Sequence, residues 1–269
     1  MPEGDTIFLA AATLRRALAG QTITRFTSMF PALNRIDSDQ PIAGRTIEAV
    51  DARGKHLLVT LSGGLVLRTH MRMNGSWHVY PAGARWRRPA RDMRILIETA
   101  RATAVAFNVQ VAEFLTQTAV ARQAELRALG PDLLADTFDA AEARRRIRER
   151  GDTPIADVLL SQRVVAGIGN VFKSEILFLA RIAPFAAAST LSDAQLDDIL
   201  TIARNVMRAS VTIGARTTRS SLNPRERLWV YGRGGRPCRR CGTPIRAKKT
   251  GDDARITYWC PRCQPDASR

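Results

Sequence analysis

Between residues 6 and 19 the apolar positions Ile7, Ala11, Leu14 and Leu18 fall on one helical face, Arg15 and Arg16 fall opposite, and Gly20 follows as a stop. The spacing predicts an amphipathic first helix with Asp5 as its N-cap, which sets Pro2 and Glu3 at the positive end of the helix dipole. From residue 22 to about 115 the period shortens. Thr46 to Asp51 and His56 to Leu61 alternate, Ser62-Gly63-Gly64 offers a hairpin turn into Leu65 to Thr69, and further strands are predicted around 75 to 80, 94 to 99 and 103 to 108. Such strands imply a β-sandwich or barrel. The stretch GARWRRPARDMR, 83 to 94, is rich in Arg, carries Pro89 and reads as an exposed loop.

After about residue 118 the pattern turns helical. Gly151-Asp152-Thr153-Pro154 predicts an N-cap with Pro at the first helical position, leading into Ile155 to Gln162, and a second helix is predicted after Gly167-Ile168-Gly169-Asn170. Ser192 to Gln195 reads as a capping box opening a third helix that runs to about Ile213. Residues 214 to 230 are Arg-rich and irregular, and 265 to 269 read as a frayed tail.

Composition narrows the function. In 269 residues, 41 Lys+Arg against 25 Asp+Glu give a formal charge of +16. Such an excess points to a polyanionic partner, and nucleic acid is the usual one. A membrane partner is not expected, because no apolar run approaches the roughly 18 residues of a spanning helix. The start MPEGDT lacks the basic-then-apolar pattern of a signal peptide, so an intracellular, cytoplasmic or nucleoid-associated protein is expected. All four cysteines fall in two knuckles, Cys238-x-x-Cys241 and Cys260-x-x-Cys263. In a reducing compartment that spacing reads as one structural Zn²⁺ site rather than two disulfides, and four thiolates leave no open position for catalysis. The strand-type run Arg255 to Trp259 between the knuckles suggests a hairpin presenting Arg255 with Arg246, Lys248 and Lys249.

The N-terminus carries candidate chemistry. Removal of Met1 would leave Pro2 with a free secondary amine one residue from the Glu3 carboxylate. A secondary amine condensing with an aldehyde carbon gives a charged iminium that cannot relax to a neutral imine. Its reference pKa, about 7.7 to 8.0 against about 10.4 for lysine, leaves a usable unprotonated fraction near neutrality. By itself, a proline at position 2 is common and carries no message. Other motifs also have bland readings. Gly167 to Asn170 opens a helix and can offer N–H groups to a phosphate, but such turns are often only turns. Lys55 at a strand start is an ordinary surface lysine, Arg144 to Arg150 reads as the wet face of a helix, and His56, His70 and His78 lack metal-ligand spacing and read as structural or surface. The loop His70 to Gly75 sets Met73 beside Arg72, a pair that in a DNA enzyme can fill the stack left by a displaced base.

Taken in order, MPEGD at the start, RGKHL at 53 to 57, GPDLL at 130 to 134, DVLLSQRVVAGIGNVFKSEILF at 157 to 178, and YGRGGRPCRRCG with ITYWCPRCQ at the end resemble the endonuclease VIII and formamidopyrimidine-DNA glycosylase family. The resemblance runs nearly end to end. It implies an α+β multidomain chain: an N-terminal catalytic β-sandwich with a leading helix over 1–118, a linker at 119–130, a helix-two-turns-helix DNA-binding domain over 131–229 and a zinc finger over 230–265, with DNA held between the domains. It further implies that Pro2 attacks C1′ of the damaged nucleotide and that Glu3 acts as general acid or proton shuttle. Lys55 would bind the flanking phosphate and assist the chemistry, and Asn170 and Arg255 would clamp phosphates. Arg72, Met73 and Asn74 would fill the hole left by base flipping. Glu175 matches an acidic position grouped with the DNA-binding residues, its role left open. Expected partners are damaged DNA and no small-molecule cofactor, with a monomer sufficient.

The formamidopyrimidine branch carries an Arg and a Phe on a second invading loop. Here the corresponding stretch, Phe107 to Val111, lacks that pair, which favours the endonuclease VIII branch and oxidised pyrimidines and hydantoins. Asp5 and Thr6 replace the Pro and Glu of the commoner PEGPE start, which bears on the pKa tuning of Pro2. Two readings stand beside this one: an 8-oxoguanine and formamidopyrimidine glycosylase of the same family, and a non-catalytic zinc-ribbon protein. A cationic RNA-binding surface is a third.

Overall fold

The computed structural model describes residues 2–221, 223–251 and 254–265. Met1 and the tail expected to fray, beyond Pro265, lie outside the described residues. The chain divides into two compact units, 1–127 and 128–269.

In the first unit, α1 spans Gly4–Leu18 and buries Ile7, Ala11, Leu14 and Leu18, the face read from the sequence. Its N-cap is Glu3 and not Asp5. The Ile7 N–H reaches the Glu3 carbonyl (3.1 Å), so the first turn closes ahead of Asp5, whose Oδ1 accepts from the Thr6 N–H (2.7 Å) and hydroxyl (3.1 Å). The strands are β1 (Ile23–Ser28), β2 (Ile47–Arg53), β3 (His56–Leu61), β4 (Leu65–His70), β5 (Ser76–Pro81), β6 (Met93–Thr99), β7 (Ala102–Phe107) and β8 (Val111–Thr116). They form two antiparallel four-stranded sheets, ordered β1-β6-β7-β5 and β2-β3-β4-β8. One core joins the inner faces, through Phe26, Ile47, Leu57, Leu67, Ile95 and Ala104, to the buried face of α1. The expected sandwich with a leading helix is present. The sequence reading named neither β1 and β8 nor the short helix α2 (Pro31–Asp39). Residues 119–130, expected as a linker, carry most of α3 (Gln117–Arg122) and α4 (Ala124–Arg127).

Strand register gathers several connections at one end of the sandwich. Arg53 pairs with His56 across the Gly54-Lys55 turn, His56 with His70, and His70 with Val111. Phe107 pairs with Ser76 on one side and Met93 on the other. The Lys55 turn, the 71–75 connection, the 108–110 connection and the exit of the 82–92 loop therefore share that end.

The second unit contains α5 (Ala140–Arg148), α6 (Ile155–Leu160), α7 (Asn170–Leu179) and α8 (Asp193–Ile213), then a hairpin of β9 (Arg246–Thr250) and β10 (Arg255–Trp259). The capping box is formed, with Ser192 and Gln195 bonding reciprocally at the head of α8. In α6, Pro154 is the N-cap rather than the first helical residue, and the helix ends at Leu160 rather than Gln162. Gln162 is drawn out because its amide pins the following turn: Nε2 donates to Leu160 O (3.0 Å) and Ile168 O (2.9 Å), while Oε1 accepts from Gly167 N–H (3.0 Å). From the other side GPDLL clamps the same turn, through Gly130 N–H to Gln162 O (2.8 Å) and Ala166 N–H to Pro131 O (2.9 Å). A Cβ on Gly130 would stand 2.2 Å from Val164 O, so glycine is required there. Asn170 through Phe178 are all buried, which makes α7 the central helix of the unit. Among the described residues no helix is long and apolar enough to cross a membrane.

Candidate active site and nucleic-acid interface

Pro2 is half-buried and directly precedes Glu3, which is 0% exposed at the head of α1. Burial of a carboxylate is costly unless donors meet it, and the positive end of a helix dipole is one setting that favours it. Helix α1 packs on β2, β3 and β5. Lys55, half-buried, occupies the tight turn between β2 and β3.

The 71–75 connection presents one apolar side chain to solvent. Met71 is buried as an anchor, while Met73 is 53% exposed between the exposed Arg72 and Asn74. Arg72 adopts a left-handed φ of 52°, and the Gly75 N–H closes the turn on Met71 O (2.9 Å). A Cβ on Gly75 would lie 2.4 Å from that oxygen. The turn is pinned from below by the Arg72 N–H donating to His70 Nδ1 (3.0 Å).

That bond belongs to a cluster that sequence reasoning missed. His56 and His70 meet edge to face at 5.0 Å. Buried Arg68 lies 3.3 Å from His56 Nδ1 and pairs with Glu113 (2.5 Å) and Glu125 (2.7 Å). Burial, then His70 and Arg68, lower the His56 pKa to about 4; burial, then Arg72 and Lys55, lower that of His70 to about 4. Both rings are neutral near pH 7. Accepting on Nδ1, His70 carries its proton on Nε2. Only the cross-strand register and a carboxylate from α4 assemble the group, so no local signal announces it.

In the second unit α7 holds the β10 strand through three residues of one face. Asn170 Nδ2 donates to Ile256 O (3.0 Å), Lys173 Nζ to Thr257 Oγ1 (2.7 Å), and Ser174 Oγ accepts from Tyr258 N–H (3.3 Å). Among the described residues Asn170 Oδ1 is buried without a partner. Arg255, half-buried, is the first residue of the strand so held. Glu175 does not belong with surface contacts to DNA: it is 0% exposed, and its oxygens accept from the Trp229, Val230 and Tyr231 N–H groups (2.8 Å each) and the Thr218 hydroxyl. Burial pushes its pKa up against the pull of those donors. It ties Thr218 and residues 229–231, which lead into the cysteine module, to the central helix.

The sulfurs of Cys238, Cys241, Cys260 and Cys263 all lie within 4.8 Å of one another, with Cys241–Cys260 at 3.5 Å and Cys238–Cys263 at 4.0 Å. A tetrahedral zinc with bonds of about 2.3 Å needs sulfurs about 3.8 Å apart, so the donor set fits.

The chain matches the family models described as "Formamidopyrimidine-DNA glycosylase N-terminal domain" over residues 1–112, "Formamidopyrimidine-DNA glycosylase H2TH domain" over 129–221 and "Zinc finger found in FPG and IleRS" over 235–265. It is 40% identical to a probable endonuclease 8 2 of Streptomyces coelicolor, over 98% of this chain and 94% of the relative. It is 39% identical to an endonuclease 8 2 of Mycobacterium tuberculosis, over 98% and 100%. A DNA-(apurinic or apyrimidinic site) lyase of Mycolicibacterium smegmatis is 38% identical over 98% and 99%. Among solved structures, a Lactococcus lactis Fpg in complex with abasic-site DNA superposes with a TM-score of 0.84 at 23% identity, over 98% of this chain and 100% of that one, a likeness of fold.

Proposed function

The chain belongs to the formamidopyrimidine-DNA glycosylase and endonuclease VIII family of base-excision-repair glycosylase-lyases, and from that premise we propose that it removes oxidised pyrimidines and hydantoins through an iminium on Pro2. This reading rests on the Pro2-Glu3 pair at the head of α1, where removal of Met1 would set a secondary amine beside a carboxylate excluded from water. The amine of Met-processed Pro2 attacks C1′ and expels the damaged base, which leaves neutral by taking up the proton that the attacking nitrogen gives up. Glu3 delivers a proton to the ring oxygen, the sugar opens, and the nitrogen lone pair completes the C=N⁺ bond. Loss of a C2′ proton then expels the 3′ phosphate by β-elimination. A second, δ-elimination expels the 5′ phosphate and leaves a one-nucleotide gap with phosphates at both ends.

Other residues position the substrate. Lys55 holds a flanking phosphate on the first unit, and Asn170 and Arg255 hold phosphates on the second. Met73, flanked by Arg72 and Asn74, fills the stack when the base leaves, at a cost of a few kcal/mol that a damaged base reduces. Zinc on the four cysteines would order a module whose small core of Val230, Cys238, Ile245 and Cys260 includes two of the ligands, and so would fix the strand bearing Arg255.

The 108–110 connection favours the pyrimidine branch. Phe107 and Val109 are both buried, which leaves Asn108 and Gln110 as the side chains that connection can offer a duplex. End-group analysis on duplexes carrying dihydrouracil or 8-oxoguanine tests the proposal. Preferential cleavage at dihydrouracil with phosphates on both sides of the gap supports it; preference for 8-oxoguanine opposite cytosine moves the protein to the other branch.

A further inference from the structure

Two of the chain's arginine-rich runs, 83–94 and 144–150, are treated differently by the structure. In α5 the cations are met by carboxylates: Arg144 by Asp197, Arg145 and Arg146 by Glu142, and Arg148 by Asp193. The loop between β5 and β6 has no such partners. Arg85, Arg87 and Arg88 are exposed, and among the described residues none is in an ion pair. Three like charges within four residues repel one another, a cost that a folded chain relieves with nearby acids or with an anionic partner.

The loop is nevertheless held in place. Trp86 turns inward, its ring edge-on to Phe107 at 5.8 Å, beside the outer-face cluster of Tyr80, Leu96 and Val105. The Arg87 N–H donates to the Tyr80 hydroxyl (3.2 Å). Residues 84–90 wall a hollow of about 570 Å³. An anchored loop has already lost much of the backbone freedom that binding would otherwise remove. Its exit is fixed too: Asn108 N–H donates to Asp92 O (2.8 Å), and Met93 pairs with Phe107. The loop enters at the opposite end of the sandwich, where Pro81 pairs with Ala102, and runs past Tyr80 and Phe107 to leave at the end that carries Met73 and Lys55.

We propose that Arg85, Arg87 and Arg88 form a second phosphate-gripping surface that binds duplex DNA beyond the lesion. The proposal rests on the reading of the protein as a DNA glycosylase-lyase. The occupant is duplex backbone because the surface is cationic, preorganised and carried on the loop that leads to the end where the exposed Met73 would meet a duplex.

The test is equilibrium binding of the full zinc-loaded protein to a long duplex carrying a tetrahydrofuran abasic analogue, between 50 and 200 mM KCl. It compares wild type, a triple Arg→Ser variant at positions 85, 87 and 88, and the corresponding triple Arg→Lys variant. Each phosphate contact contributes about 0.9 to the slope of log K against log salt, or about 3.5-fold in affinity across that range. The Ser variant is expected to bind more weakly at 50 mM and to lose about 2 to 3 from the slope, with the Lys variant retaining most of it. An unchanged slope overturns the proposal, whether affinity is kept or lost, because weaker binding at constant slope means the loop acts by shape. A Lys variant as poor as the Ser variant overturns the reading by charge as well. Because this readout involves no bond cleavage, failure of the Pro2 iminium would appear in adduct trapping and leave the salt slopes untouched.

Discussion

Glu175→Gln isolates the device that ties the cysteine module to the central helix. In the wild type, Oε1 accepts from the Val230 and Tyr231 N–H groups, and Oε2 from the Trp229 N–H and the Thr218 hydroxyl. Glutamine keeps one oxygen for two of these donors and turns an NH₂ group towards the others. The Thr218 hydroxyl can rotate to accept, but the Trp229 N–H then faces a donor in an interior without water. One orphaned buried N–H costs about 1 to 3 kcal/mol, and exchanging a charged acceptor for a neutral one weakens the two retained bonds. Relief of the buried charge offsets part of that loss. A net local destabilisation of about 2 kcal/mol corresponds to about a 30-fold loss of hydrogen-exchange protection at the 229–231 amides. Exchange measured by mass spectrometry or NMR reads this directly, and amides in β3 and β4, a control in the other unit, should not change. Protection at 229–231 kept within about threefold of wild type would refute the reasoning.

Three further outcomes follow from the geometry. Gly130→Ala forces a methyl to within 2.2 Å of Val164 O; the helix-turn-helix unit should melt well below wild type, by urea or thermal unfolding, and an unaltered midpoint would contradict the close approach. His56 and His70 hold folded pKa values near 4, below the usual 6.5, so the unfolded chain binds more protons between those values. Stability from this pair is complete above about pH 6.5 and is lost as pH falls towards 4; His56→Gln should flatten part of that slope in urea unfolding between pH 4.5 and 7, and an unchanged slope would count against the neutral pair. Stripping zinc with a chelator should abolish binding to abasic-site DNA while β-sheet circular dichroism of the first unit survives; tight binding after verified metal loss would remove Arg255 from the interface.

The legible parts of the molecule were those fixed locally. The α1 face, the β3-β4 hairpin, the Ser192 capping box and the paired Cys-x-x-Cys knuckles each follow from spacing within a short window, and each is present. Element ends shifted where a tertiary bond competed, as when the Gln162 amide left α6 to pin the 167–168 turn. Helix α2 escaped notice because only Leu33 of its nine residues is buried. Strands β1 and β8 depend on the neighbours they pair with rather than on a strong alternation of their own. The least legible features joined distant residues. Arg68 meets Glu113 and Glu125, and Glu175 meets amides more than fifty positions away. The family resemblance grouped Glu175 with the DNA-binding residues and left its role open, and its burial gives it an interior one.

Borohydride trapping reads the chemistry of Pro2 at the bond it would form. Met-processed protein is incubated with labelled duplexes carrying dihydrouracil, 8-oxoguanine or an abasic site, with Pro2→Ala as control. Wild type should give a covalent adduct, trapped best on dihydrouracil and the abasic site, and the control none. No adduct on any duplex, with the N-terminus verified as Pro2, would contradict the iminium chemistry.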